Sequence, residues 1–170
     1  MNSDLIELLQ LLKDHKVRYL IIGGQAVILH SEPRFTKDTD LWVEPSPKNA
    51  ARLFLALQEF GAPTSSITEE DLATPGTVFI FGLPPNRIDI LTRVKGALFG
   101  KCFKNRLGVK IKGVSANFIS LDDLIRVKRA TGRPQDMIDL ERLLMVKQIN
   151  RESVKSVSKR QKRKSSRSKP

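Results

Sequence analysis

Leu5, Leu8, Leu9 and Leu12 recur at intervals of three and four residues, the spacing of one buried helix face. Ser3 ahead of them, with Asp4 and Glu7 near the positive end, predicts a helix over about residues 4–15. The pattern then becomes continuous: Val17–Ile22 reads as a buried strand, broken by Gly23-Gly24, after which Gln25–His30 is helical again. The loop SEPRFTK leads into a second strand, DTDLWV. Ser46-Pro47 and Gly61 frame a helix over 47–60. Residues 61–76 read as loop with a helical turn at Glu69–Ala73. Thr77–Phe81 and Arg87–Leu91 are β-rich, and GLPPN between them predicts an antiparallel hairpin. Residues 93–106 show no clear pattern, and 107–119 read as one extended region. Ser120 with Asp123 opens a helix over 121–131, closed by Gly132. Pro134 and Asp136 open a last helix to about Val146, its apolar side being Met137, Ile138, Leu140, Leu143 and Leu144. This order predicts a mixed α/β (α+β) domain with one short sheet flanked by helices.

Composition sharpens the division of the chain. Of the net charge of +12, nine units fall in residues 147–170, where ten Lys/Arg face the single acid Glu152. The expectation is a folded domain over 1–146 and a basic tail over 147–170 that is disordered in isolation. The tail either binds a polyanion through counterion release or only adds solubility. No run approaches the ~20 apolar residues of a membrane span. The N-terminus reads as an amphipathic helix rather than a signal peptide. The one cysteine, Cys102, excludes an internal disulfide, and the default expectation is a cytoplasmic protein.

The candidate chemistry lies in acids placed on strands. Asp38 and Asp40 are two apart at the start of DTDLWV, so both carboxylates share a face while Thr39 and Leu41 turn inward. Two like charges on one face repel, and a divalent cation offsets that cost. Taken alone, such a pair is more often a solvated strand end. Asp89, set between Ile88 and Ile90 in RIDIL, is costly in a hydrophobic strand unless solvated, paired or metal-bound. Together with Asp38 and Asp40 it supplies a third carboxylate. Gly23-Gly24 lets a backbone approach closely, and the helix that follows offers free N–H groups to a polyphosphate.

Gly23-Gly24, thirteen residues, Asp38-Thr39-Asp40 and a later strand acid, Asp89, resemble the pattern of the nucleotidyltransferase superfamily. The segment from Ser120 to Leu144 is similar to the helical part of its small members, minimal nucleotidyltransferases and abortive-infection toxin-like proteins. The resemblance covers about residues 5–146 and leaves the tail outside. It implies two Mg²⁺ (or Mn²⁺) ions and a nucleoside triphosphate such as ATP, attacked in line at the α-phosphate with release of pyrophosphate. It implies that Asp38 and Asp40 hold both metals, and that Asp89 holds one and helps deprotonate the acceptor. Many members carry Ser where this chain has Gly24, so one phosphate contact is missing here.

Several further residues are candidates. Arg34 and Lys37 precede the Asp pair and suit a triphosphate, or form a solvated basic loop. The resemblance implies that Lys128 reaches the nucleotide phosphates. Asp136 and Asp139 suit pairing with Arg133 or Lys128, with a surface ion pair as the plainer expectation. His30 and Trp42 are expected to be structural. Beside the enzyme stand two alternatives. One is a catalytically silent module of the same fold, binding nucleic acid through the tail, which for the enzyme makes RNA or tRNA a candidate acceptor. The other is a toxin held by a cognate antitoxin protein.

Overall fold

A computed structural model describes the backbone of residues 3–167 and the side chains of residues 3–153. Six strands form one sheet: β1 (Tyr19–Ile21), β2 (Asp38–Val43), β3 (Val78–Phe81), β4 (Arg87–Leu91), β5 (Leu107–Ile111) and β6 (Val114–Phe118). Their order across the sheet is β3-β4-β2-β1-β6-β5. The neighbours β2–β4 and β1–β6 run parallel and the other three pairs antiparallel. The helices are α1 (Ser3–Asp14), α2 (Gly23–His30), α3 (Pro47–Phe60), α4 (Glu69–Ala73), α5 (Phe99–Lys104), α6 (Leu121–Thr131) and α7 (Pro134–Arg167). The expected mixed α/β architecture is the observed one.

One hydrophobic core joins the stripe Leu5, Leu8, Leu9 and Leu12 of α1 to Leu53, Ala56 and Leu57 of α3 and to Leu41 and Val43 of β2. This face of the sheet is largely apolar, with Tyr19, Phe79 and Phe81 beside its aliphatic residues, and apolar burial of this kind is what holds the layers together. The other face carries α2, which packs on β2 and touches both α6 and α7. That arrangement sets the N-terminus of α2 and the C-terminal helices around one end of β2.

The structure departs from the sequence expectations in definite places. Gly23 and Gly24 are the first turn of α2 rather than a break before it, with extended Ile22 as the cap. Residues 107–119 are a hairpin instead of one strand. Lys112 and Gly113, both at positive φ (47° and 88°), turn the chain between β5 and β6, the backbone a tight two-residue hairpin requires. Helix α5 arises within a stretch that shows no clear pattern. Its six residues are too few to display helical periodicity, and only Phe99 and Cys102 are buried. In α7, Leu140 and Leu143 enter the core, whereas Met137, Ile138 and Leu144 are exposed. The helix meets the domain along a narrower stripe than expected. It also continues past Val146 to Arg167. Up to that point the tail has no Pro or Gly to stop it and is rich in good helix formers such as Lys, Arg and Gln. No helix among the described residues is long and apolar enough to cross a membrane.

Candidate active site

The acids meet where β2 and β4 run side by side. Their parallel register sets Asp40 opposite Asp89 and Asp38 opposite Arg87. Alternation along each strand puts Asp38, Asp40, Arg87 and Asp89 on one face, while Thr39, Leu41, Ile88 and Ile90 are buried on the other. The three acids singled out in the sequence therefore share a face of the sheet.

Their crowding is visible in their electrostatics. Burial, followed by the charges of Asp38 and Asp89, pushes the Asp40 carboxyl from an ordinary 3.8 up to about 6, although Lys128 and Arg133 pull it down. The arrangement already draws in a cation from the chain itself. Arg87 donates from Nη2 to Asp38 Oδ2 at 2.7 Å and from Nε to Asp89 Oδ1 at 2.8 Å. The hydrogen bond to Asp89, with the surrounding carboxylate charge, holds the guanidinium more firmly protonated than usual. Thr36 Oγ1 supports Asp38 with a donated bond of 3.2 Å to Oδ1.

The glycine pair lies directly against this cluster. A Cβ built at Gly23 would overlap the Asp40 carboxylate, and Gly23 has φ +58°. A Cβ at Gly24 would overlap the Thr36 hydroxyl. Both positions thus require glycine, one for close approach and backbone conformation together, the other for approach alone. The result is a side-chain-free cradle at the N-terminus of α2, facing the carboxylates.

Behind the cradle lies a chain of buried ion pairs. Lys128 Nζ pairs with Asp136 Oδ1 at 2.7 Å and with Asp139 Oδ2 at 2.8 Å. The expected surface pair is instead interior, with Lys128, Asp136 and Asp139 respectively 4%, 1% and 0% exposed. Burial pushes the Asp136 carboxyl up, but bonds from Arg133 and Lys128 outweigh it and hold it below the usual range. Arg34 Nη2 donates to Asp139 Oδ2 at 3.1 Å. Its Nε lies 3.0 Å from Oδ1, close enough to attract but not aligned as a hydrogen bond. Arg34 therefore stands anchored beside Gly24, and Lys37 is exposed at the entry to β2. Lys128, expected at the phosphates, commits two of its three protons to buried carboxylates and acts on the site through its field at Asp40.

Three residues contribute that the sequence pattern does not assign to this site. Arg87 stands at i−2 from Asp89, so strand alternation alone is enough to set both on one face. Thr36 stands two residues before Asp38 and reaches it locally, whereas Asp139 reaches the site only through tertiary packing. His30 Nε2 contacts the Ile119 carbonyl at 2.8 Å and Trp42 is buried, both structural as expected. Burial pushes the Cys102 thiol up to about 11, an inert state.

Among the described residues no group of three or more His, Cys, Asp or Glu stands close enough to be a ready metal cage. The donor set nonetheless suits a hard divalent cation, with carboxylate oxygens on one face. The guanidinium of Arg87 already bridges two of those carboxylates. Asp38, Asp40 and Asp89 are the residues able to hold such an ion, and Gly23 sets the first turn of α2 directly against the Asp40 carboxylate.

Comparison with known proteins fits this geometry. A family described as "Nucleotidyltransferase of unknown function (DUF6036)" matches residues 3–169. No curated protein matches the chain. Among solved structures, the chain is similar to the lincosamide antibiotic adenylyltransferase LnuA in its lincomycin-bound form. The TM-score is 0.51 at 13% identity, over 86% of this chain and 98% of that one. At that identity the likeness speaks for the fold.

Proposed function

The chain belongs to the nucleotidyltransferase family of unknown function DUF6036, and on that premise we propose that it transfers a nucleoside monophosphate from a triphosphate to an acceptor hydroxyl, with divalent metal. ATP is the donor to test first, because the similar solved structure is that of an adenylyltransferase. The observation that carries the reading is the register of Asp40 against Asp89 with Asp38 on the same face.

Asp38 and Asp40 would hold two Mg²⁺ or Mn²⁺ ions and Asp89 one of them. Bound there, the ions supply charge neutralisation on the triphosphate and orient the attacking and leaving oxygens. The chain's own residues do the rest. Gly23 and Gly24 admit the triphosphate against the first turn of α2, whose N–H groups face it. Arg34, fixed by Asp139, stands beside that turn and offers its remaining donors to phosphate oxygens. Lys37 adds positive charge at the mouth. Lys128 keeps Asp136 and Asp139 paired and so holds Arg34 in place. Asp89, nearest the outer strands, accepts the proton of the incoming hydroxyl. Arg87 must leave the carboxylates when the ions enter, and so becomes available to the phosphates.

Incubation of the protein with α-labelled NTPs, Mg²⁺ and total RNA or cell protein is the direct test. Transfer of label by the wild type, lost in Asp38→Ala, Asp40→Ala and Asp89→Ala, is the expected result. Absence of transfer with every NTP and acceptor pool would refute the reading.

A further inference from the structure

We infer that the cleft beyond the carboxylates binds the end of a single nucleic-acid strand, which rests on the transfer reading in taking the strand's terminal hydroxyl as the acceptor. Trp42 lies two residues past Asp40 on β2, hence on the same sheet face and ~6.5–7 Å further along it. It floors, with Phe99, a cleft of about 1020 Å³. The segment 93–98 forms one wall and α6 contributes another through Arg126.

The charge of this cleft is one-sided. Arg93, Lys95, Lys101 and Arg126 line it, and no Asp or Glu does. Arg126 is paired with Asp123. Arg93, Lys95 and Lys101 are exposed and enter no ion pair among the described residues. The contrast with the catalytic end is informative. There Arg34, Arg87, Lys128 and Arg133 all meet carboxylates. Uncompensated positive charge thus faces the very cleft that an acceptor would enter.

That charge selects among acceptor classes. A cationic aminosugar or other amine would be repelled, and a polyanion attracted with release of its counterions. Because Trp42 and Phe99 are buried, with 2% and 8% exposure, base stacking is not on offer. The strand would be held by its phosphates and read with little sequence preference. The basic wall is also braced. Gly96 has φ +79°, and a Cβ there would overlap that of Ala130 on α6. The segment carrying Arg93 and Lys95 therefore sits tight on the helix, which lowers the ordering cost of binding.

In the transfer itself the terminal hydroxyl oxygen forms a bond to the α-phosphorus and its proton passes to Asp89. The bond from the α-phosphorus to the bridging oxygen breaks, and pyrophosphate leaves with the electron pair.

The test measures fluorescence anisotropy of labelled single-stranded RNA and DNA oligonucleotides with free 3′-hydroxyls, on the full chain over a range of salt. The triple variant Arg93→Gln/Lys95→Gln/Lys101→Gln changes only exposed side chains, and an unchanged thermal melt verifies its folding. We expect it to weaken binding by on the order of 100-fold at 0.1 M salt and to lower the salt slope by about two, ~0.7 per lost phosphate contact. Asp38→Ala should bind as the wild type does. Whichever of RNA and DNA shows this loss is the source of the strand. Unchanged affinity and slope in the triple variant overturn the inference. So does a loss seen only when Lys159, Arg160, Lys162 and Arg163 of the tail become Gln, or binding confined to acidic proteins. Transfer to an oligonucleotide that the triple variant performs equally well would sink the cleft and leave the enzyme standing. Loss of binding in a protein that transfers nothing would sink the enzyme and leave the cleft.

Discussion

Arg87 and Asp38 face each other across the parallel β2–β4 register, and the guanidinium Nη2 donates to Asp38 Oδ2 at 2.7 Å. The same guanidinium holds Asp89 through Nε and Nη2, at 2.8 and 3.0 Å. One side chain thus occupies the lone pairs that a metal ion would need. Arg87 and a divalent cation must compete for Asp38 and Asp89. Replacing Arg87 by Gln removes the competitor while leaving the carboxylates intact. Mn²⁺ titrated into the variant, followed by calorimetry or by its paramagnetic signal, should bind severalfold more tightly than to the wild type. A weaker Mn²⁺ affinity would show that Arg87 supports the ion rather than displacing it. The gain stays modest because both partners of the pair remain partly open to water.

The raised Asp40 carboxyl makes a second, independent statement. In the folded chain it protonates at about 6, against 3.8 ordinarily. Between those values the native state holds a proton that the unfolded chain has released. Stability contributed by this group must therefore fall as pH rises from about 3.8 through 6, and the loss is complete above that window. The shift corresponds to about 3 kcal/mol. Asp40→Asn, which cannot ionise, should melt several degrees above the wild type at pH 7.5 and alongside it at pH 3.5. Adding Mn²⁺ at pH 7.5 should raise the wild-type melting temperature and leave that of Asp40→Asn nearly unmoved. A gap between the two proteins that is constant with pH would place the proton elsewhere.

Much of this site is legible in the amino-acid sequence. The i, i+2 spacing of Asp38 and Asp40 and the isolation of Asp89 among isoleucines each fix a face by strand alternation, because the side-chain period of two allows no intermediate. The faces of β2 and β4 then coincide because the strands are neighbours, a fact that periodicity cannot supply. Strong local signals also set the bounds of α3 and α6: Ser46-Pro47 and Gly61 for one, Ser120, Asp123 and Gly132 for the other. What stays hidden depends on distance in space. Arg34 and Asp139 lie 105 residues apart and still share a hydrogen bond. Asp136 and Asp139 read as exposed helix acids because an acid at a helix start is a common surface feature. Only the packing of α7 against α2 and α6 buries them. The cleft beside Trp42 is equally illegible, since its cations come from a segment without periodicity.

The glycine cradle yields a prediction about shape. Gly23→Ala would drive a methyl group into the Asp40 carboxylate at a position of φ +58°. Gly24→Ala would displace Thr36, and with it the hydroxyl that supports Asp38. Both changes act on geometry rather than charge, and a displacement of about 1 Å at reacting groups costs roughly 100-fold in rate. Each variant should keep the wild-type far-UV circular dichroism and lose label transfer from α-labelled NTP by about that factor. Gly61→Ala is the control: nothing lies within 4 Å of its added methyl and its φ is +80°, so it should cost some stability but leave the rate per folded molecule unchanged. Equal rate losses at all three glycines would mean that chain stability, not the cradle, governs activity.

The buried ladder behind the site makes the strongest stability prediction. Asp139 is fully buried and meets both Lys128 and Arg34, while Asp136 meets Lys128 and Arg133. Removing one member strands a charge in the interior, which typically costs about 3–5 kcal/mol. Asp139→Ala should lose stability of that order in urea denaturation, and Lys128→Met a similar amount, because it leaves two buried carboxylates without their ammonium. The two losses should not add. In Lys128→Met/Asp139→Leu, a methionine and a leucine replace a buried cation and one of its two acids, and Asp136 keeps Arg133. Its stability should lie well above the sum of the single effects, the mark of coupled groups in a double-mutant cycle. Arg34 also loses its anchor in Asp139→Ala, so the KM for the triphosphate should rise in that variant more than kcat falls. Strict additivity in the cycle, together with an unchanged KM, would separate the ladder from the phosphate cradle and make it scaffolding alone.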